Sequence, residues 1–200
     1  MAFLIGIAGP SGSGKSTLAQ RLHQALAAPS ALLSLDSYYR DLAHLEPAER
    51  ARTNFDAPDA LEHELLRDQL AALARDRAVD VPVYSFAEHL RQTETQRLES
   101  ADILIVEGIF TLYWPEVRDL FDLRVFIAVD DALCLERRTR RDVAQRARTP
   151  QDVQRQYAET VRPMYERHIA PTQRHAHLVL RGDQAIERSV AAVLHRLPVP

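Results

Sequence analysis

Residues 2–17 read A-F-L-I-G-I-A-G-P-S-G-S-G-K-S-T, and this stretch decides the fold. Ala2 to Ala8 is a continuous apolar run of strand length, the pattern of a strand buried on both faces of a parallel sheet. Gly9 to Ser16 then fits G-x-x-x-x-G-K-[ST]. Thr17 to Leu26 follows as an amphipathic helix, with Leu18, Leu22, Ala25 and Leu26 on one side. Strand, glycine loop and helix stand in the order that a phosphate-cradling loop requires. Its glycines let backbone N–H groups converge on phosphate oxygens at a helix N-terminus. The chain holds 24 Arg and a single Lys, and that lysine is Lys15. A compact ammonium follows β- and γ-phosphate oxygens in a way that a planar guanidinium does not. Ser16 is placed to ligate Mg²⁺. Gly9, Pro10, Ser11, Gly12, Ser13, Gly14, Lys15, Ser16 and Thr17 are therefore the expected nucleotide-binding residues.

Outward from the loop, further apolar runs mark strands at Ala31–Asp36, Ile103–Glu107, Leu123–Val129 and His177–Leu180. Helical patterns fill the gaps at about Ala60–Arg75, Ala132–Arg146, Gln151–Ile169 and Gln184–Leu197. Alternation of this kind predicts an α/β fold, a five-stranded parallel sheet flanked by helices, in one domain spanning 1–200. Asp36 and Glu107 fall at the carboxyl ends of two expected strands, beside the loop, where open parallel sheets bind ligands. One such acid can organise Mg²⁺ or its waters while the other takes a proton from an attacking hydroxyl. Residues 37–98 do not read as a simple strand–helix–strand unit. Val79–Phe86, with Pro82 favouring an edge, and Thr93–Arg97 suggest a β-hairpin insertion. Its Phe55, Tyr84, Phe86 and His89 either clamp a flat ring or serve as ordinary core.

Composition narrows the class. Hydrophobic content is 46%, charged content 26% and net charge −3, so the chain is expected to be globular and no general nucleic-acid binder. Its longest apolar run falls well short of the roughly 18–20 residues of a membrane span, and no basic segment precedes it. A lone cysteine, Cys134, makes no internal disulfide and fits the reducing cytoplasm. A second lysine for N-K-x-D, a D-x-x-G and a G-G pair are all missing, which argues against guanine switches and transport ATPases. H-R-D and D-F-G are missing too, and a small-molecule kinase survives. Six arginines crowd into residues 137–148. Such a run suits a lid that delivers cations to a transferring phosphoryl group, and competes with a solvated or nucleic-acid-binding face.

Over almost its full length the chain resembles the uridine kinase (uridine–cytidine kinase) family of P-loop kinases. The resemblance rests on G-P-S-G-S-G-K-S-T at 9–17, L-D-S-Y-Y-R at 35–40, N-F-D-A-P-D-A at 54–60 and P-V-Y-S-F-A-E-H at 82–89. E-G-I at 107–109, R-R-T-R-R-D at 137–142, Q-Y at 156–157, V-R-P-M-Y at 161–165 and A-P-T at 170–172 extend it. It implies a P-loop NTPase fold with a nucleoside-binding insertion at about 37–98 and an Arg-rich helical lid at about 137–150. It implies phosphorylation of the 5′-hydroxyl of uridine or cytidine by ATP, or GTP, with Mg²⁺. By resemblance Asp36 is the general base, and Glu107 and Ser16 organise magnesium. Asp56 and Arg138 hold the ribose hydroxyls, Tyr84 and His89 read the pyrimidine edge, and Phe55 and Phe86 pack on the base. Arg148 and Gln156 add nucleoside contacts, Arg141 and Arg146 are lid arginines, and Asp183 falls near adenine. A homotetramer and feedback inhibition by pyrimidine triphosphates are also implied. The family's E-R-G-R is Q-R-A-R here at 145–148, so Ala147 stiffens the expected hinge. Kinases of phosphoribulose, nicotinamide riboside or pantothenate, and a nucleotide-switched binding module, are the rival readings.

Overall fold

The computed structural model describes residues 1–50, 52–145 and 148–198. In chain order, β1 (Phe3–Ala8) leads through the glycine loop into α1 (Lys15–Ala25) and β2 (Ser30–Ser34). A 3-10 turn over Leu35–Tyr38, the short α2 (Pro47–Arg50) and α3 (His63–Leu73) follow. A hairpin of β3 (Val79–Ser85) and β4 (Leu90–Leu98) precedes β5 (Ile103–Glu107), α4 (Pro115–Arg118) and β6 (Leu123–Ala128). The chain closes with α5 (Asp131–Gln145), α6 (Pro150–Gln156), α7 (Arg162–Met164), β7 (Leu178–Arg181) and α8 (Ile186–Leu194). Among these helices none is long and apolar enough to cross a membrane.

Five strands form one parallel sheet in the order β2-β5-β1-β6-β7. Alternation along β1 explains its burial on both sides. Leu4 packs on one face with Leu104, Val106, Phe126 and the Leu66 and Leu70 of α3. Ile5 and Ile7 pack on the other with Leu18 and Leu22 of α1 and Val193 of α8. With β5 on one side of β1 and β6 on the other, strand order reverses at β1. That switch opens a crevice at the carboxyl edge, where the glycine loop lies.

Three local outcomes differ from the sequence reading. β2 ends at Ser34, so Asp36 stands in the 3-10 turn and not on a strand. The Ser34 hydroxyl accepts the Asp36 N–H at 3.3 Å, a side-chain bond that competes with the strand ladder. α3 starts at His63, three residues late, because Pro58–Ala60 forms its own 3-10 turn and Leu61 pairs antiparallel with Tyr39. The helix expected over Gln151–Ile169 widens into π turns at Tyr157–Val161 and Tyr165–Ile169. They flank Pro163, which has no N–H to donate and whose ring crowds the preceding turn. The hairpin forms a separate antiparallel pair with a register shift between Pro82 and Tyr84.

Candidate active site

A cavity of about 450 Å³ runs along the carboxyl edge of the sheet. Its floor is the loop Ser11–Thr17, with Asp36 and Glu107 beside it. Gly12 and Gly14 have φ of +84° and +96°, and a Cβ on Gly12 would stand 2.7 Å from the Cys134 carbonyl oxygen. A side chain at Gly12 would thus both strain and clash, and one at Gly14 would strain the backbone alone. The Lys15 ammonium is buried, 7% exposed, and donates to the Pro10 carbonyl at 2.9 Å. Burial lowers its pKa and outweighs the attraction of Glu107 and Asp36.

Glu107 lies at the end of β5, and Oε1 accepts from Ser16 Oγ at 3.1 Å and from Ser34 Oγ at 3.0 Å. Burial raises its pKa; nearby Lys15 opposes that shift and Asp36 adds to it. The same Ser34 hydroxyl sets the turn that carries Asp36, so β2 organises both carboxylates. Ser34 was not singled out from sequence; the signal was its place two residues before Asp36.

One end of the cavity is aromatic. The Phe55 and His89 rings stack at 4.9 Å with 16° between planes, and Tyr39 meets Phe55 edge-on at 5.4 Å. His89 holds a left-handed backbone, φ +52°, at the hairpin turn. Phe86 lies at the rim, 40% exposed. Tyr84 stands behind this wall, packed on Tyr39 at 5.2 Å and Phe86 at 5.3 Å, and is not among the cavity-lining residues. Its hydroxyl is buried with no hydrogen-bond partner among the described residues, and burial pushes its pKa up to about 12. Tyr84 thus does not line this cavity, whereas His89 does.

The opposite wall is built from guanidinium groups. Arg138, buried on α5, donates to Ser11 Oγ at 3.1 Å and to Gln156 Oε1 at 3.2 Å, and lies 3.6 Å from Asp56 Oδ1. Burial raises the Asp56 pKa, with Arg138 and Arg148 opposing. Arg148 also donates to Gln156 Oε1. Asp142 is a second residue that sequence reasoning missed. It is fully buried, 0% exposed, and its carboxylate takes Arg141 Nε at 2.8 Å, with Arg138 Nε and Arg148 Nη1 each at 3.6 Å. A lone acid four residues after Arg138 was its signal. Arg146 and Ala147 lie outside the described residues.

Beyond the loop, Arg137 donates to the Gly182 carbonyl at 2.9 Å, and Gln184, Ile186 and Ser189 complete the far end. Asp183 is not part of this wall; it is exposed and bound by Arg181 at 2.6 and 3.0 Å. Gly9 and Pro10 lead into the wall without lining it. His63, outside this cavity, is half-buried and stacked on Trp114 at 4.7 Å.

The profile of the phosphoribulokinase/uridine kinase family matches residues 4–186. The chain belongs to this family. It is 42% identical over 200 residues to the uridine kinase of Lactococcus lactis subsp. cremoris (strain MG1363), covering 96% of this chain and 97% of that one. It is 43% identical to the uridine kinase of Chloroflexus aggregans (strain MD-66 / DSM 9485), covering 97% and 93%. The phosphoribulokinase of Rhodobacter spheroides superposes with a TM-score of 0.69 at 16% identity, over 90% of this chain and 70% of that one. At that identity the likeness is one of fold, and the fold is that of the P-loop kinases.

Proposed function

We propose that the protein transfers the γ-phosphoryl group of ATP to the 5′-hydroxyl of uridine or cytidine, yielding UMP or CMP and ADP. The observation that carries this reading is one cavity lined together by the Lys15 loop, the Phe55–His89 stack and Asp36. The loop amides and Lys15 bind the β- and γ-phosphates. Phe55, His89 and the rim ring of Phe86 receive a flat pyrimidine, while Asp56 and Arg138 take the ribose hydroxyls. That leaves the 5′-oxygen toward Asp36. As this oxygen bonds to the γ-phosphorus, the bond to the ADP oxygen breaks and Asp36 accepts the hydroxyl proton.

Ser16 and Glu107 present oxygen donors 3.1 Å apart at the loop's end, a set suited to Mg²⁺. Bound there, the ion would neutralise phosphate charge. No cluster of three His, Cys, Asp or Glu side chains fit for a metal occurs among the described residues, so water and phosphate oxygens would supply the remaining ligands. Arg141 closes over the phosphates, Arg148 and Gln156 contact the nucleoside, and the working unit is a cytoplasmic homo-oligomer; the lid role expected of Arg146 falls on a residue outside those described. Against a nucleic-acid reading of the arginine run, Arg137, Arg138, Arg141 and Arg148 line the cavity.

The test is ADP release by the purified protein with uridine, cytidine, nicotinamide riboside, pantothenate and ribulose 5-phosphate in turn. Turnover with the two pyrimidine nucleosides is the expected outcome. Turnover confined to a sugar phosphate or pantothenate, or ADP release indifferent to any acceptor, overturns the reading.

A further inference from the structure

The β3–β4 hairpin is a separate sheet from the one whose β2 leads into the Asp36 turn, yet the aromatic wall draws on both sides. Arg91 links them. It lies on β4 opposite Tyr84, and its side chain is 19% exposed. One guanidinium nitrogen donates to Glu62 Oε2 at 2.6 Å and another to the Tyr39 carbonyl at 2.9 Å. Glu62 caps the start of α3, and its N–H donates to the Tyr38 carbonyl at 2.9 Å. Tyr38 closes the 3-10 turn that carries Asp36, and Tyr39 follows at once. One side chain therefore ties three segments: the hairpin, the Asp36 turn and the N-terminus of α3.

Tyr39 is held at both ends. Its carbonyl accepts from Arg91, and its hydroxyl donates to the Phe55 carbonyl at 3.1 Å. Its ring touches Phe55, Tyr84 and Phe86. Arg91 also follows His89 by two residues, and His89 is the ring stacked on Phe55. The planar fork spans a carboxylate and a carbonyl at once, which an ammonium on a flexible stem does not reproduce.

We infer that Arg91 and Glu62 are positioning residues for the acceptor, setting the distance of the hairpin's His89 and Phe86 from Asp36. The inference rests on the assignment of the aromatic end to the acceptor. Neither residue lines the cavity, so neither is catalytic.

Two measurements test it in Arg91→Lys, Arg91→Gln, Glu62→Gln and the reversed pair Arg91→Glu with Glu62→Arg. The first is steady-state kinetics with uridine and ATP varied separately. Arg91→Gln and Glu62→Gln are expected to raise the uridine KM about tenfold while the ATP KM stays within about twofold. Arg91→Lys should fall between, and the reversed pair should recover part of the loss. The second is backbone hydrogen exchange of residues 84–91, read without acceptor in variants that keep the wild-type ATP KM or ATP-analogue affinity. Faster exchange confined to this turn and to 38–40 supports the strap. Equal rises in both KM values, unchanged kinetics in all single variants, or exchange identical to wild type overturn it. Wild-type protein inactive on pyrimidine nucleosides would instead overturn the proposed function, and the exchange measurement would still decide the strap.

Discussion

At the residue scale, two carboxylates whose charges act on Lys15 are proposed to do different work. For Asp36, the expected consequence of Asp36→Asn is a fall in kcat of about 10²–10⁴-fold, the span of general-base contributions. Affinity for a non-hydrolysable ATP analogue, read by calorimetry, should stay within about twofold; an unchanged kcat removes Asp36 from its role. Glu107 is half-buried, and desolvation of its charged form raises its pKa above the ordinary 4.5. A carboxyl with a higher pKa folded than unfolded keeps its proton longer in the native state. Its contribution is therefore greatest below about pH 4.5 and is lost as pH rises through the elevated folded value. Glu107→Gln should remove that loss. Its Tm at neutral pH should rise, at about 2–4 °C per kcal/mol recovered, while Mg²⁺-dependent turnover falls. Scanning calorimetry between pH 4 and 8 checks this, and a variant whose Tm tracks wild type across that range would refute it.

At the scale of elements, α5 and the start of α6 share one buried acid. Asp142 gathers Arg138, Arg141 and Arg148, and Gln156 of α6 accepts from two of the same groups. Asp142→Asn keeps the shape and removes the charge, leaving three guanidinium groups facing one another. Breaking a buried pair from one side costs about 3–5 kcal/mol. Cations displaced by an ångström cost about 10²-fold in rate, so kcat should fall by that order with a smaller change in ATP KM. Kinetics alongside denaturant melts would show it, and loss of stability with kcat intact would count against a lid function for these arginines. Asp142 was not legible in the sequence, because an acid inside a run of arginines reads as surface charge until its burial is known. The apolar runs were legible: β1 and β5 have almost no other way to lie than between two helical layers. The end of β2 was not, since a serine-to-backbone bond outcompeted strand pairing there. The aromatic end was half legible. Its residue types pointed to a flat ring, but which rings line the cavity is not written in them, since it is set by how the hairpin packs on Tyr39.

At the scale of the whole molecule, the proposed donor and acceptor ends meet through Arg138. Its guanidinium bonds Ser11 in the phosphate loop, pairs with Asp56 and bonds Gln156 on α6. A ligand that settles the loop therefore orders the group that also faces the acceptor. Part of the ordering cost of the second ligand is met by the first, which is positive coupling. Uridine is accordingly expected to bind about fivefold or more tightly when a non-hydrolysable ATP analogue and Mg²⁺ are present. By reciprocity the analogue should gain the same factor from uridine. Calorimetric titrations in both orders measure the two factors, which must agree within error. Arg138→Lys retains a charge but not a fork that reaches Ser11, Asp56 and Gln156 together, so both factors should collapse toward one. Uridine affinity indifferent to the analogue in the wild type would mean that the two ends of the cavity are filled independently, and that Arg138 holds the fold together without linking the substrates.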